Sequence, residues 1–281
     1  MKHPCLLENV THLAAVASLV AYFFLPPAAN AVQSEWVKSE GGDIRIVADR
    51  PQPDGTIPAI LDIKLKPGWK TYWLEPGASG ISPQVTIDPQ SGISFSGLRF
   101  PAPKAFDDGG VHYTGYDRPV AFPLSLKREK TGDLTLNASV FLGVCKDICI
   151  PVQADFSVPL PASLPENPLD KARIEAAVSA LPGEPSETFR VRSASFDAAA
   201  KRLRLSLVAP GMSAGTLPEL FLAGPPGYSF GKAENVKMAD GQVTAEVPVR
   251  IPSNGGALKS GSVLLVARSG EHSMQTPLAF D

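Results

Sequence analysis

The chain has 281 residues, with 26 Lys and Arg against 28 Asp and Glu and a formal net charge of −2. That balance leaves no basic field to hold nucleic acid or anionic lipid, and it excludes those partners. Neither a G-x-S-x-G nucleophile elbow nor a G-x-x-x-x-G-K-[ST] phosphate loop occurs, so hydrolase and nucleotide-binding readings have no support.

The chain opens MKHPCLLENVTHLAAVASLVAYFFLPPAANAV. A weakly basic start at Lys2 and His3, an apolar run from Leu13 to Leu25 and the small-residue site Ala29-Asn30-Ala31 predict a secretory signal over 1–31. The run is shorter than the ~20 residues of a membrane-spanning helix. A periplasmic location is therefore expected, with no membrane span after cleavage. Cleavage removes Cys5 and leaves Cys145 and Cys149 in a mature chain of roughly 250 residues, room for two cores of about 100 to 150 residues each.

Strand patterns come next along the chain. DIRIVA (43–48), AILDIKLK (59–66) and DLTLNASVFLGV (133–144) alternate apolar with polar residues, as do RLRLSLV (202–208) and VTAEVPVRI (243–251) further on. Such alternation, bounded by Gly, Pro and Asn, marks half-buried strands. With 28 Pro and 24 Gly in the chain, turns come often and long helices have little room. The fold class is all-β, a β-sandwich followed by a second β-sandwich domain. One segment departs from the pattern: NPLDKARIEAAVSAL (167–181) sets Ile174, Val178 and Leu181 at helical spacing, with Pro168 near the start and Pro182-Gly183 beyond the end. It reads as one short helix in a Pro-rich linker. The expected domains are 32–160 and 188–281, joined by a linker over 161–187.

The stretch FLGVCKDICIP (141–151) carries the chemistry. If 133–144 and 149–158 are neighbouring strands, Lys146-Asp147-Ile148 is a tight three-residue connection, and Cys145 faces Cys149 across the mouth of a hairpin. Facing Cα atoms in an antiparallel pair stand about 4.5 to 5.5 Å apart, within disulfide reach. Three readings stay open on spacing alone. A structural staple across five residues contributes only about 2 kcal/mol in the chain-entropy account. An exposed or strained disulfide tends to be labile and redox-active. A closed zinc site wants four ligands, and beyond the two cysteines the mature chain offers only His112 and His272, whereas two thiolates suffice to hold Cu(I). A non-catalytic binding module with an inert disulfide is a further rival. Trp36, Trp69 and Trp73 read as packing residues, Trp73 being the exception to watch because it adjoins Tyr72. His112, in GGVHYTGY, reads as a solvated loop residue.

VFLGVCKDICIPV resembles the cysteine hairpin of the N-terminal periplasmic domain of the thiol:disulfide interchange protein DsbD, and more closely that of the ScsB-type relatives. PGWKTYWLEPGASGISP (67–83), FPAPKAF (100–106) and GYDRPVAFPLSL (115–126) share the likeness, which covers about 35–160. The resemblance implies an immunoglobulin-like sandwich with Cys145 and Cys149 as the catalytic pair. It implies no cofactor and a link to copper tolerance. It also implies a membrane-embedded thiol-disulfide electron donor on a separate chain and periplasmic thioredoxin-like proteins as acceptors. Cys149 is the implied site of mixed disulfides and Cys145 the resolving residue. Tyr72 matches a family tyrosine near the pair, and Phe106, Asp107 and Asp108 fall at the position of a shielding cap loop, free to swing on Gly109-Gly110. Lys70 stands where the DsbD branch has another aromatic residue.

Overall fold

A computed structural model describes residues 32–280 apart from 78–79, 109, 164–166, 212–216, 240, 254 and 256–257. The signal expected over 1–31 lies outside the described residues. In the first half the strands are β1 (Val37–Lys38), β2 (Gly42–Ala48), β3 (Thr56–Leu65), β4 (Lys70–Tyr72), β5 (Gln84–Ile87), β6 (Ile93–Leu98), β7 (Lys104–Asp108), β8 (Val111–Tyr116), β9 (Val120–Arg128), β10 (Leu134–Cys145) and β11 (Cys149–Leu160). One sheet runs β1-β2-β3-β9-β6, the other β11-β10-β4-β8-β7 with β5 also on β10. The alternation seen in sequence is the cause: Leu136, Ala138, Val140, Leu142 and Val144 of β10 point inward to meet Ile44, Ile46, Leu61, Ile63 and Phe122 of the facing sheet in one core. The result is an immunoglobulin-like sandwich.

The helix α1 (Pro168–Ser179) starts where its sequence says it should. The Asn167 side chain caps it, accepting from Leu169 N at 3.0 Å, and Pro168 holds the first turn. Its buried face differs from the one expected. Ile174 and Ala177 pack on Val47, Ile60 and Ala121, while Val178 is left 45% exposed. The contact explains why Ile60 is apolar although it points out of the sandwich: α1 covers it. Asp62, on the same outer side, pairs with Arg45 at 3.1 Å and Arg173 at 2.5 Å, tying helix to sheet.

Beyond α1 the chain forms β12 (Arg190–Asp197), β13 (Arg202–Val208), β14 (Glu219–Ala223), β15 (Ser229–Phe230), β16 (Glu234–Ala239), β17 (Gln242–Arg250), β18 (Leu264–Ser269) and β19 (His272–Pro277). These make a sheet ordered β12-β13-β17-β15, with β16 also on β17, and a smaller one ordered β14-β18-β19. Leu203, Leu205, Val247, Val249, Leu222 and Leu265 fill the space between them. Phe221, Ala223 and Val266 instead join the first core, and the Phe221 ring meets Trp73 edge-on at 6.2 Å. Trp73 is thus a core residue, 1% exposed. Among the described residues no helix is long and apolar enough to cross a membrane.

Candidate functional site

The β10–β11 hairpin pairs Cys145 directly with Cys149, and β4 lies on the other side of β10 with Lys70 opposite Cys145. Paired residues share a face of a sheet, and so do alternate residues along a strand. Cys145, Cys149, Gly143, Lys70 and Tyr72 therefore stand on one face. Leu142, Val144 and Thr71 stand on the other, where the first two fill the core and Thr71 Oγ1 donates to the Gly143 carbonyl at 2.9 Å. The cysteines occupy the outward face of the sandwich. Their Cα atoms are 4.1 Å apart and the sulfurs are bonded. Cys145 is only 6% exposed, whereas Cys149 and the connecting Lys146, Asp147 and Ile148 are open to solvent.

The difference follows from position, since β10 lies between β4 and β11 whereas β11 is the edge strand, and Tyr72 lies against both sulfurs. Although it points outward it is 4% exposed, and its Oη lies 2.8 Å from Cys145 Sγ and 3.0 Å from Cys149 Sγ. Two glycines make room for its ring. A Cβ on Gly143 would come within 3.3 Å of Tyr72 Cε2 and 2.9 Å of Ile81 Cβ, and one on Gly80 within 2.6 Å of Tyr72 Cδ1. The ring lies between β10 and the segment that returns over it at Gly80-Ile81, so a side chain at Gly80 would displace it. Burial, with Tyr113 adding to it, pushes the Tyr72 phenol above its usual range, and the Lys70 ammonium only partly offsets the rise. The hydroxyl keeps its proton through the neutral range.

Around Tyr72 the aromatic cover continues through a residue that sequence reasoning did not single out. Tyr113 meets Tyr72 edge-on at 6.0 Å and stacks on Phe106 at 5.2 Å. Lys70 binds the pair together: its ammonium hydrogen-bonds to Tyr113 Oη and stands 5.1 Å from both the Phe106 and Tyr113 ring centroids. Tyr72 reaches both sulfurs, and Phe106 is joined to Tyr72 through Tyr113.

The cap loop expected at 106–108 is instead a strand. β7 pairs with β8 so that Phe106 faces Tyr113, Asp107 faces His112 and Asp108 faces Val111. Of the two glycines read as a hinge, Gly110 lies in the connection between β7 and β8 at φ 85°, and Gly109 is outside the described residues. His112, read as a loop residue, lies on β8 with Nδ1 3.3 Å from Asp107 Oδ2; the side chain of Asp108 lies outside the described residues. The Gly109-Gly110 pair between Phe106 and Val111-His112-Tyr113 was the sequence signal for the hairpin and for Tyr113. Among the described residues no group of three or more His, Cys, Asp or Glu side chains gathers in metal-binding geometry.

Residues 44–161 match the family model described as thiol:disulfide interchange protein DsbD, N-terminal. The crystal structure of the N-terminal periplasmic domain of ScsB from Proteus mirabilis is similar, with a TM-score of 0.70 and 25% identity, covering 89% of this chain and 98% of that one. None of the curated proteins compared matches the sequence. The family match takes in both cysteines, Tyr72, Phe106 and Tyr113, while the structural likeness continues through the second sandwich. Residues 44–161 thus match the DsbD N-terminal family model, and the chain as a whole resembles the ScsB N-terminal periplasmic domain.

Proposed function

We propose that the chain is a periplasmic thiol-disulfide exchange protein that takes reducing equivalents from a membrane-embedded dithiol donor and passes them to thioredoxin-like proteins through Cys145 and Cys149. The observation that carries this reading is a disulfide whose two halves differ in access: Cys149 is open to solvent and Cys145 is buried. A bond closing so short a loop adds little to stability, about 2 kcal/mol, and β10 and β11 are already paired along twelve residues each. Its position suits exchange better than bracing.

In the accepting half-reaction a donor thiolate attacks Cys149 Sγ, the Cys145–Cys149 bond breaks, and its electron pair goes to Cys145 Sγ. The donor's second thiolate then attacks its own sulfur in the mixed disulfide, leaving the donor oxidised and both cysteines reduced. The donating half-reaction runs in reverse on an acceptor disulfide: Cys149 attacks, and Cys145 resolves the mixed disulfide. Residues 188–281 support the first sandwich through Phe221 against Trp73, beside Tyr72.

Trapping tests the assignment. In Cys145→Ser the mixed disulfide at Cys149 has no resolving thiol, so it should accumulate with an oxidised thioredoxin-like protein and be visible by intact mass. Cys149→Ser should trap little. Equal trapping in the two variants, or none in either, counts against the reading.

A further inference from the structure

Tyr72 Oη reaches both sulfurs, at 2.8 and 3.0 Å, and sulfurs in a disulfide carry no proton, so the hydroxyl is the donor to each. A hydrogen bond to a neutral disulfide sulfur is weak. The same donor aimed at a thiolate is charge-assisted and about twice as strong as a neutral bond. The interaction therefore grows as the sulfur–sulfur bond breaks, which is the condition for accelerating a reaction rather than merely holding its ground state. The donor is also fixed in place, because the ring sits between Gly143 and Gly80 and packs against Tyr113.

We propose that Tyr72 is a catalytic residue for exchange at this pair: its hydroxyl stabilises the thiolate that departs at Cys145 and thereby directs attack to Cys149. The proposal deepens the exchange reading above and rests on it. As the incoming thiolate bonds to Cys149 Sγ, the electron pair of the broken bond settles on Cys145 Sγ, and Tyr72 donates to it without giving up its proton. Solvent later supplies the proton that neutralises Cys145. Among the described residues, ionisable groups about the pair include Lys70 opposite Cys145, Tyr113 behind Tyr72, and Lys146 and Asp147 in the exposed turn. Lys70 favours the same anion.

Tyr72→Phe keeps the ring and removes the donor. In the reduced full chain, the Cys145 thiol pKa, followed by its own 13Cβ resonance, is expected to rise by about one to two units. Reduction of the oxidised variant by glutathione should slow about threefold to tenfold, because a less stable leaving thiolate departs more slowly. An unmoved Cys145 pKa together with an equal or faster reduction rate overturns the proposal and leaves Tyr72 as a cover only. The titration needs no partner, so the two claims fail separately. A shifted pKa in a protein that traps no partner removes the exchange reading, and an unshifted pKa in one that traps removes the role of the hydroxyl.

Discussion

Serine at either cysteine abolishes exchange and leaves the sandwich folded. Neither half-reaction can be completed with one sulfur, so turnover with a thioredoxin-like substrate should fall by about a thousandfold or more, to the background of uncatalysed thiol exchange. The fold has little at stake. The lost cross-link closes five residues and contributes about 2 kcal/mol, and the core that β10 and β11 help to fill remains intact, with Leu136, Leu142, Val144 and Val158 fully buried. Denaturant unfolding should shift by no more than that contribution with an unchanged slope. An insoluble or unfolded serine variant would instead make the bond a structural staple.

Tyr72→Ala is expected to raise the rate of reduction by glutathione about tenfold, the reverse of the change expected for phenylalanine at the same position. Alanine removes the ring that keeps Cys145 buried and opens the second sulfur to small thiols; access is a determinant of exchange rate in its own right. The loss of the hydroxyl acts the other way, and the gain in access outweighs it because a whole ring is removed from above the bond. Phe106→Ala should have a smaller effect, about twofold, since Phe106 stacks on Tyr113 rather than on a sulfur. Stopped-flow reduction of the three variants separates the roles. An alanine variant no faster than the unmutated protein means that the pair is covered by something other than Tyr72.

Much of this arrangement was legible in the sequence because period-two alternation is a strong signal. DLTLNASVFLGV became β10, RLRLSLV became β13, and a three-residue connection set Cys145 opposite Cys149 as it had to. The helix was legible from Asn167-Pro168, but its buried face was not: Ala177, which packs, carries less hydrophobic signal than the exposed Val178 beside it. The hairpin at Phe106 was obscured by Gly109-Gly110, a pair that serves a turn as readily as a hinge. The need for glycine at 80 and 143 could not be read at all, because it depends on the Tyr72 ring lying against both positions, which come together only in the fold. Lys70 stands within the aromatic cover, joining Phe106 to Tyr113 through its charge.

The reduction potential of the Cys145–Cys149 pair tests the central claim most directly. Equilibration of the full chain with glutathione buffers, read by intact mass after alkylation, gives it without knowledge of any partner. A redox-active pair that receives and passes on electrons should lie between about −180 and −270 mV, the range of exchange proteins. A potential below about −300 mV would mark a bond that periplasmic thiols cannot turn over, and would contradict the account.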